Sequence, residues 1–166
     1  QVLDVRPTGD AMEVVTSKGT LRARAVIGAD GANSIARRAV SKEPARRVAR
    51  LLEFFVPPDP GRTETPDQRQ AFFDFSVSDR NVQGYVWTFP VRAGGNLAWN
   101  RGIYDARVRP ELPFGRLKPT LRDSLDREGI HLDDYKLQGH PIRWFDPKGI
   151  FSAQGLLLVG DAAGVD

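Results

Sequence analysis

Two short turns in this sequence combine glycine with a single aspartate, each directly after an apolar run. The first is Gly28-Ala29-Asp30-Gly31, and the second is Gly160-Asp161-Ala162-Ala163-Gly164. Small residues let a backbone approach a ligand closely, and a carboxylate accepts hydrogen bonds from sugar-like hydroxyl groups. Ligands of open α/β sheets bind beyond the carboxyl ends of strands. A single turn of this kind usually does no more than reverse the chain. The prediction of a ligand site therefore depends on the two turns together.

Other familiar chemistries lack their residues in this chain of 166 residues. The absence of cysteine removes disulfides, thiolate catalysis and thiolate metal sites, and it fits a cytoplasmic protein. No triphosphate loop, dinucleotide fingerprint or hydrolase elbow is present. His131 and His140 lack the spacing of metal ligands. We therefore predict no metal site, and we assign no catalytic residue because none stands out as a general acid.

The first turn has clear elements on both sides. The run at 21–27 alternates and then becomes apolar, as if a strand leaves an exposed ribbon and enters a sheet. Asn33 or Ser34 can cap a helix that continues to about Val40. Earlier strands are predicted at 2–5 and 13–16.

The second turn follows Leu156 to Val159, a run short enough for one buried strand. Between the turns, the segment 70–104 predicts an antiparallel meander. Leucines recur at i+4 from Leu117, which predicts a helix from about 115 to 128. A strand is expected at 136–145. No apolar run approaches the roughly 18 residues of a membrane span.

A basic cluster lies between the first turn and the meander, within a net charge of +3. A solvated surface is its ordinary interpretation. The alternative is a patch that faces a phosphorylated cofactor, a diphosphate substrate or a lipid surface. Nucleic acid is not expected as a partner, because no stacking aromatics interleave with the cations. The members, opposed only by Glu43, are Arg37, Arg38, Lys42, Arg46, Arg47 and Arg50.

The two turns together resemble a known signature. Ala29-Asp30-Gly31-Ala32-Asn33-Ser34-Ile35-Ala36-Arg37 resembles the A-D-G-x-x-S-x-x-R motif of flavoprotein monooxygenases and reductases with the para-hydroxybenzoate hydroxylase type of FAD fold. Leu158 to Gly164 resembles their second FAD motif. The resemblance implies that Asp161 contacts the ribityl chain of FAD and that Asp30 and Gly31 organise the region near the pyrophosphate. The implied cofactor-binding residues are Asp30, Gly31, Gly160, Asp161, Ala162 and Gly164.

A third motif narrows the resemblance. Gly84-Tyr85-Val86-Trp87-Thr88-Phe89-Pro90 is similar to the Y-x-W-x-F-P motif of geranylgeranyl reductases, whose aromatics line the cavity for a lipid substrate. Tyr85, Trp87 and Phe89 alternate along one predicted strand, which also suits an ordinary sheet core. Trp99 stands near the place where the family has a G-x-G pattern, and we expect it to line the same cavity.

The resemblance implies an α/β fold, with α+β character in this chain. An antiparallel sheet domain with helices at 46–150 would bind substrate. Pieces of a glutathione-reductase-type FAD-binding domain would flank it at 1–45 and 151–166. The chain would then be an internal segment of a longer enzyme, and by itself it would bind FAD poorly.

The implied function is FAD-dependent oxidoreduction in which reduced flavin reduces C=C bonds of a prenyl-like or lipid-like substrate. NAD(P)H is a candidate electron donor. The expected partner is a hydrophobic small molecule, and peripheral membrane contact of a cytoplasmic protein is compatible with that. One alternative is an FAD-dependent monooxygenase or halogenase of the same fold. The other is a non-catalytic binding module, because the FAD site is incomplete.

Overall fold

The computed structural model describes residues 1–41, 48–57 and 69–165. They form two units, each with its own buried core. One unit combines Gln1–Val48 with Pro141–Asp166, and the other is Ala49–His140. Residues 141–150, which the sequence assigns to the sheet domain, therefore belong to the first unit. Three members of the basic cluster, Lys42, Arg46 and Arg47, lie outside the described residues.

The first unit opens with an antiparallel ribbon of three strands, β1 (Val2–Thr8), β2 (Ala11–Thr16) and β3 (Gly19–Ala23). The single strand predicted at 21–27 is two strands, because β3 is followed by a separate strand β4 (Val26–Gly28). The break has a simple cause. Ala23 pairs with Met12, close to the start of β2, so the ribbon offers no further partner. The Val26 N–H donates instead to the Gly155 carbonyl at 2.8 Å.

A second small sheet positions both turns. Strand β4 pairs in parallel with a strand near the end of the chain, β11 (Leu156–Leu158), which also pairs with β10 (Ser152–Ala153). Helix α1 (Ile35–Val40) packs on one face of this sheet. Gly28 permits the close approach, because a Cβ there would fall 2.5 Å from Ala36 Cβ.

The second unit is built on a five-stranded sheet, whose strands are β5 (Val48–Val56), β6 (Phe72–Asp74), β7 (Gly84–Ala93), β8 (Asn96–Asp105) and β9 (Gln138–Arg143). Their order in the sheet is β6-β7-β8-β5-β9. Val48 and residues 141–143, at the ends of β5 and β9, are assigned to the first unit. The predicted meander is present, since β6, β7 and β8 are antiparallel neighbours in sequence order. Pairing aligns Trp87 of β7 with Gly102 of β8, and Gly102 with Glu53 of β5.

Helix α2 (Leu117–Asp126) supplies the core of this unit. The predicted leucine stripe is confirmed: Leu117, Leu121 and Leu125 are buried together with Phe54 and Ile103 of the sheet. Burying one such side chain contributes about 1.5–3 kcal/mol. The core therefore covers one face of the sheet and leaves the other to different residues. No helix in the described part of the chain is long and apolar enough to cross a membrane.

Candidate functional site

The two glycine-aspartate turns leave the same edge of one sheet. Gly28, the last residue of β4, pairs in parallel with Leu158, the last residue of β11. The Val159 N–H then donates to the Gly28 carbonyl at 3.0 Å. Two turns that are about 130 positions apart in sequence therefore start side by side at the carboxyl ends of adjacent parallel strands. In open α/β sheets, ligands bind at this end of the strands.

The Asp30 side chain caps the start of α1. Its Oδ1 accepts a hydrogen bond from Ser34 Oγ at 2.5 Å, and its Oδ2 accepts from the backbone N–H groups of Ile35 and Ala36 at 2.7 and 3.1 Å. Ser34 Oγ in turn accepts from the Arg37 N–H at 2.8 Å, so Ser34 is the N-cap. Asp30 and Ser34 together satisfy three N–H groups that the first turn of a helix leaves without partners.

The ionisation of Asp30 reflects this role. Burial alone would raise the pKa of its carboxyl group. The hydrogen bonds from Ser34, Ala36 and Ile35 outweigh that effect, so the pKa lies below its ordinary value of 3.8. Asp30 is therefore an ionised capping group at neutral pH.

Asp161 stands in contrast to Asp30. It lies in a single 3-10 turn, Gly160–Ala162, closed by hydrogen bonds from the Ala163 N–H to the Gly160 carbonyl and from the Gly164 N–H to the Asp161 carbonyl. Within the described ranges, no residue donates a hydrogen bond to the Asp161 carboxylate. This half-buried carboxylate is therefore available to accept hydrogen bonds from a ligand.

The six predicted cofactor residues divide into two sets. Gly31 and Gly160 have positive φ, and an added Cβ would meet no atom within 4 Å at either, so the backbone there borders open space together with Asp161. The other three serve the protein itself. Asp30 caps α1, Ala162 is fully buried, and a Cβ on Gly164 would fall 3.1 Å from the Trp144 carbonyl.

Two arginines hold the turns in place. Arg37 Nη1 donates to the Ala162 carbonyl at 2.9 Å, which ties α1 to the second turn. Arg143 Nε donates to the Ala32 carbonyl beside the first turn. Burial, followed by the positive charge of Arg37, lowers the pKa of the Arg143 guanidinium. Arg143 was not selected from the sequence, because nothing near it in the chain indicates a contact 111 positions away.

Arg37 is also a member of the basic cluster. Its bond to Ala162 is internal, and Arg50 in the second unit donates to Asp105 at 2.8 Å and to the Gly115 carbonyl at 2.6 Å. Asp105 is 0% exposed. These two members of the cluster therefore stabilise their own units, and neither is an ordinary solvated side chain.

The predicted aromatic residues do not all share one face of the five-stranded sheet. Tyr85, Trp87 and Phe89 alternate along β7, with ring centroids 6.4 and 6.0 Å apart between successive rings. Phe89 pairs with Asn100, so the neighbouring Trp99 lies on the opposite face. The structure thus keeps three of the four together and separates Trp99 from them.

Three further aromatics join this face and were not selected from the sequence. The ring of Phe73 lies 5.1 Å from those of Tyr85 and Phe89, Phe75 lies 5.4 Å from Tyr85, and Tyr104 lies 5.5 Å from Tyr85. Phe73 and Phe75 remain about half or more exposed. We call this group the aromatic wall. Its members are Phe73, Phe75, Tyr85, Trp87, Phe89 and Tyr104.

A series of polar contacts continues from the aromatic wall across the same face. Trp87 Nε1 donates to Asn100 Oδ1 at 2.6 Å, and Asn100 Nδ2 donates to Glu53 Oε2 at 2.9 Å. Glu53 Oε1 lies 3.3 Å from His140 Nε2. Gly102 makes room for this arrangement, because the Trp87 indole lies directly over it. We call the side chains of Trp87, Asn100, Glu53 and His140 the polar chain.

No protein-family model matches this chain, and no curated protein matches it. Solved structures do match it. A geranylgeranyl bacteriochlorophyll reductase-like protein from Thermoplasma acidophilum is 24% identical, with a TM-score of 0.62 over 99% of this chain and 41% of its own. A variant of HpxO from Klebsiella pneumoniae, complexed with FAD, is 18% identical, with a TM-score of 0.54 over 98% of this chain and 43% of its own.

The Diels-Alderase PyrE3 of pyrroindomycin biosynthesis also matches, at 20% identity and a TM-score of 0.53 over 98% of this chain and 34% of its own. The chain thus spans about two fifths or less of the length of these proteins. It has the fold of a segment of them, rich in antiparallel sheet and with few helices, which confirms the coarse form of the predicted fold. A shared fold does not fix the chemistry, and these neighbours differ in their stated activities.

Proposed function

We propose that this chain is part of an FAD-dependent oxidoreductase that reduces C=C bonds of a hydrophobic, prenyl-like substrate. The observation that carries the proposal is the pairing of the two turns at the ends of β4 and β11. That arrangement supplies a strand-end site of the kind that binds nucleotide cofactors. The FAD-complexed neighbour and the reductase-like neighbour, both of which share the fold, support the same assignment.

The residues at the turns fit part of an FAD site. Gly31 and Gly160 border open space, so a cofactor could approach their backbone without meeting a side chain. The Asp161 carboxylate would accept hydrogen bonds from hydroxyl groups of the ribityl chain. Arg37 and Asp30 would keep the two turns in register through their internal bonds. Bound FAD would supply hydride transfer between an electron donor and the substrate.

The aromatic wall supports a hydrophobic substrate. Phe73 and Phe75 are exposed large aromatics on a face that α2 does not cover. Apolar pockets lined by aromatic side chains with a few polar groups are typical of small-molecule sites. The role of the wall would be to bind and orient an apolar chain or ring and to exclude water from it.

The FAD assignment is tested on the full-length protein with Asp161→Ala. Removing hydrogen bonds to a charged acceptor costs about 1.5–3 kcal/mol, which corresponds to roughly tenfold to 100-fold weaker FAD binding. The measurement is a titration of FAD into apoprotein, followed by flavin fluorescence. Asp10→Ala is the matched control, because the Asp10 side chain is 99% exposed and belongs to the same unit. Its FAD affinity is expected to equal that of wild type.

Three results would contradict the proposal in different ways. A colourless wild-type protein that takes up no FAD would favour a non-catalytic binding module. Equal FAD affinity in both variants would remove Asp161 from the site. Oxygen consumption coupled to hydroxylation of the substrate, with no reduction of its double bonds, would favour a monooxygenase of the same fold.

A further inference from the structure

The polar chain lies within an otherwise aromatic face of the five-stranded sheet. Asn100 pairs with Phe89 on β7 and with Phe55 on β5, and directly paired residues point to the same face. Phe55 is 42% exposed. Glu53 lies two positions before Phe55 on the same strand and therefore shares this face. The amide of Asn100 thus lies between two aromatic side chains, with the Glu53 carboxylate beside them.

The direction of hydrogen bonding along the polar chain is fixed by Trp87. An indole N–H only donates, so the Asn100 side-chain oxygen must accept and its nitrogen must donate to Glu53. Trp87 is 6% exposed and its indole lies over Gly102, so this end of the chain is held in place. The orientation of the Asn100 amide is therefore set before any ligand binds.

Asn100 and Glu53 have hydrogen-bonding capacity that the protein does not use. A side-chain amide nitrogen carries two hydrogens, and in the described part of the chain only Glu53 accepts from Asn100 Nδ2. A carboxylate offers about four lone-pair positions. Asn100 takes one on Oε2, and Oε1 lies 3.3 Å from His140 Nε2. Because the Glu53 side chain is 22% exposed, a ligand can reach a donor and an acceptor that lie side by side.

A hydroxyl group matches this pair of sites better than a charged group does. Its hydrogen can go to Glu53 while its oxygen accepts the second N–H of Asn100. A carboxylate or phosphate would meet the negative charge of Glu53, and an ammonium group has no acceptor for the Asn100 N–H. Stability gives no reason for a carboxylate at position 53, because an apolar side chain would join the aromatic face without losing hydration.

We propose that this face binds an apolar molecule with a terminal hydroxyl group, such as a prenyl alcohol, whose chain lies on the aromatic wall. Glu53 and Asn100 bind the hydroxyl, and His140 holds the second carboxylate oxygen. The inference rests on the proposed function, because it gives the class of the hydrophobic substrate. All of the residues involved belong to the second unit.

The test measures ligand binding to the full-length protein without added FAD, followed by tryptophan fluorescence. The probes are farnesol, farnesyl methyl ether, farnesylamine and farnesoic acid, which share one chain and differ in the head group. Only farnesol can both donate to Glu53 and accept from Asn100. Since a hydrogen bond to a charged acceptor is at stake, farnesol should bind about tenfold to 100-fold more tightly than the ether. It should also bind more tightly than the amine and the acid.

Three variants separate recognition of the head group from recognition of the chain. Glu53→Gln keeps the shape and removes the charge, so the preference for farnesol over the ether should fall about fivefold to tenfold. Glu111→Gln is the matched control, because this glutamate is 61% exposed and belongs to the same unit, and the preference should not change. Phe73→Ala should weaken binding of both ligands by the same factor, roughly tenfold, because the ring contacts only the chain.

Equal affinity of wild type for farnesol and its ether, within about twofold, would overturn the inference, as would an unchanged preference in Glu53→Gln. Tighter binding of the amine or the acid than of farnesol would also overturn it, because the site would then select a charge. If none of the probes binds, both this inference and the hydrophobic substrate of the proposed function are wrong. If FAD binds and double bonds are reduced without a preference for the alcohol, only this inference fails. If the preference is present but no FAD binds, the proposed function fails and the hydroxyl site stands.

Discussion

Gly102 is the residue on which the contact between the aromatic wall and the polar chain depends, and Gly102→Ala tests this directly. An added Cβ would fall 2.3 Å from the Leu52 carbonyl oxygen and 2.4 Å from two carbons of the Trp87 indole. Overpacking of this kind costs about 1–3 kcal/mol. Displacing the indole also breaks its hydrogen bond to Asn100, which contributes about 0.5–1.5 kcal/mol. We therefore expect a loss of roughly 1.5–4.5 kcal/mol in the free energy of unfolding.

The measurement is urea unfolding at equilibrium, followed by tryptophan fluorescence. Gly139→Ala is the matched control in the same sheet. Its Cβ would meet the end of the flexible Leu52 side chain at 3.3 Å, and we expect a change within about 0.5 kcal/mol. If Gly102→Ala costs no more than Gly139→Ala, the indole does not lie across Gly102 and the path of the polar chain is wrong.

Two further predictions concern carboxylates in the two units. Arg50→Ala should lower the free energy of unfolding by about 3–5 kcal/mol, because it leaves the fully buried Asp105 carboxylate without its cationic partner. Asp123→Ala, which removes an ion pair with a 53% exposed carboxylate, should cost less than about 1 kcal/mol. Equal losses in urea unfolding would refute the distinction. Asp30→Ala should cost about 0.5–2 kcal/mol at pH 7. Folding lowers the pKa of Asp30 from 3.8. The stability that its carboxylate contributes is therefore complete above pH 3.8 and is lost as the pH falls through the lower pKa of the folded state. In thermal unfolding from pH 7 to pH 2, the variant should show a weaker dependence on acid than wild type.

Local features of the fold could be predicted from the sequence. Ser34 is the N-cap of α1, and that helix ends at Val40 as expected. The leucines from Leu117 onward bury one face of α2. These features depend on residues three or four positions apart, where helical geometry alone decides which side chains meet.

The pairing of strands distant in sequence and the exact register of neighbouring strands could not be predicted. The parallel contact of β4 with β11 joins segments about 130 positions apart, and no local pattern indicates it. The family resemblance places Trp99 with the other aromatics, because it stands near the family's G-x-G position. Its face in the structure is set by the pairing of Phe89 with Asn100. A shift of one residue in register moves every side chain of a strand to the other face.

The polar chain illustrates the same limit for the candidate site. Glu53, Asn100 and His140 come from three separate strands and belong to no common motif. From the sequence, His140 was a histidine without metal-ligand spacing. Only the strand order β8-β5-β9 brings it beside a carboxylate that a buried tryptophan holds in place.

The first unit is built from two separate stretches of the chain, and this affects how it folds during synthesis on the ribosome. Strand β4 meets its parallel partner only when Leu156–Leu158 has emerged, and the Arg37 guanidinium reaches the Ala162 carbonyl across 125 positions. The second unit, Ala49–His140, is one continuous stretch and needs no later residue for its own core. During synthesis, the second unit can therefore fold before the first. The apolar side chains of β4 and α1 stay exposed until β11 has been synthesised. Apolar surface exposed during that interval favours aggregation, so we expect chaperones to raise the yield of folded protein.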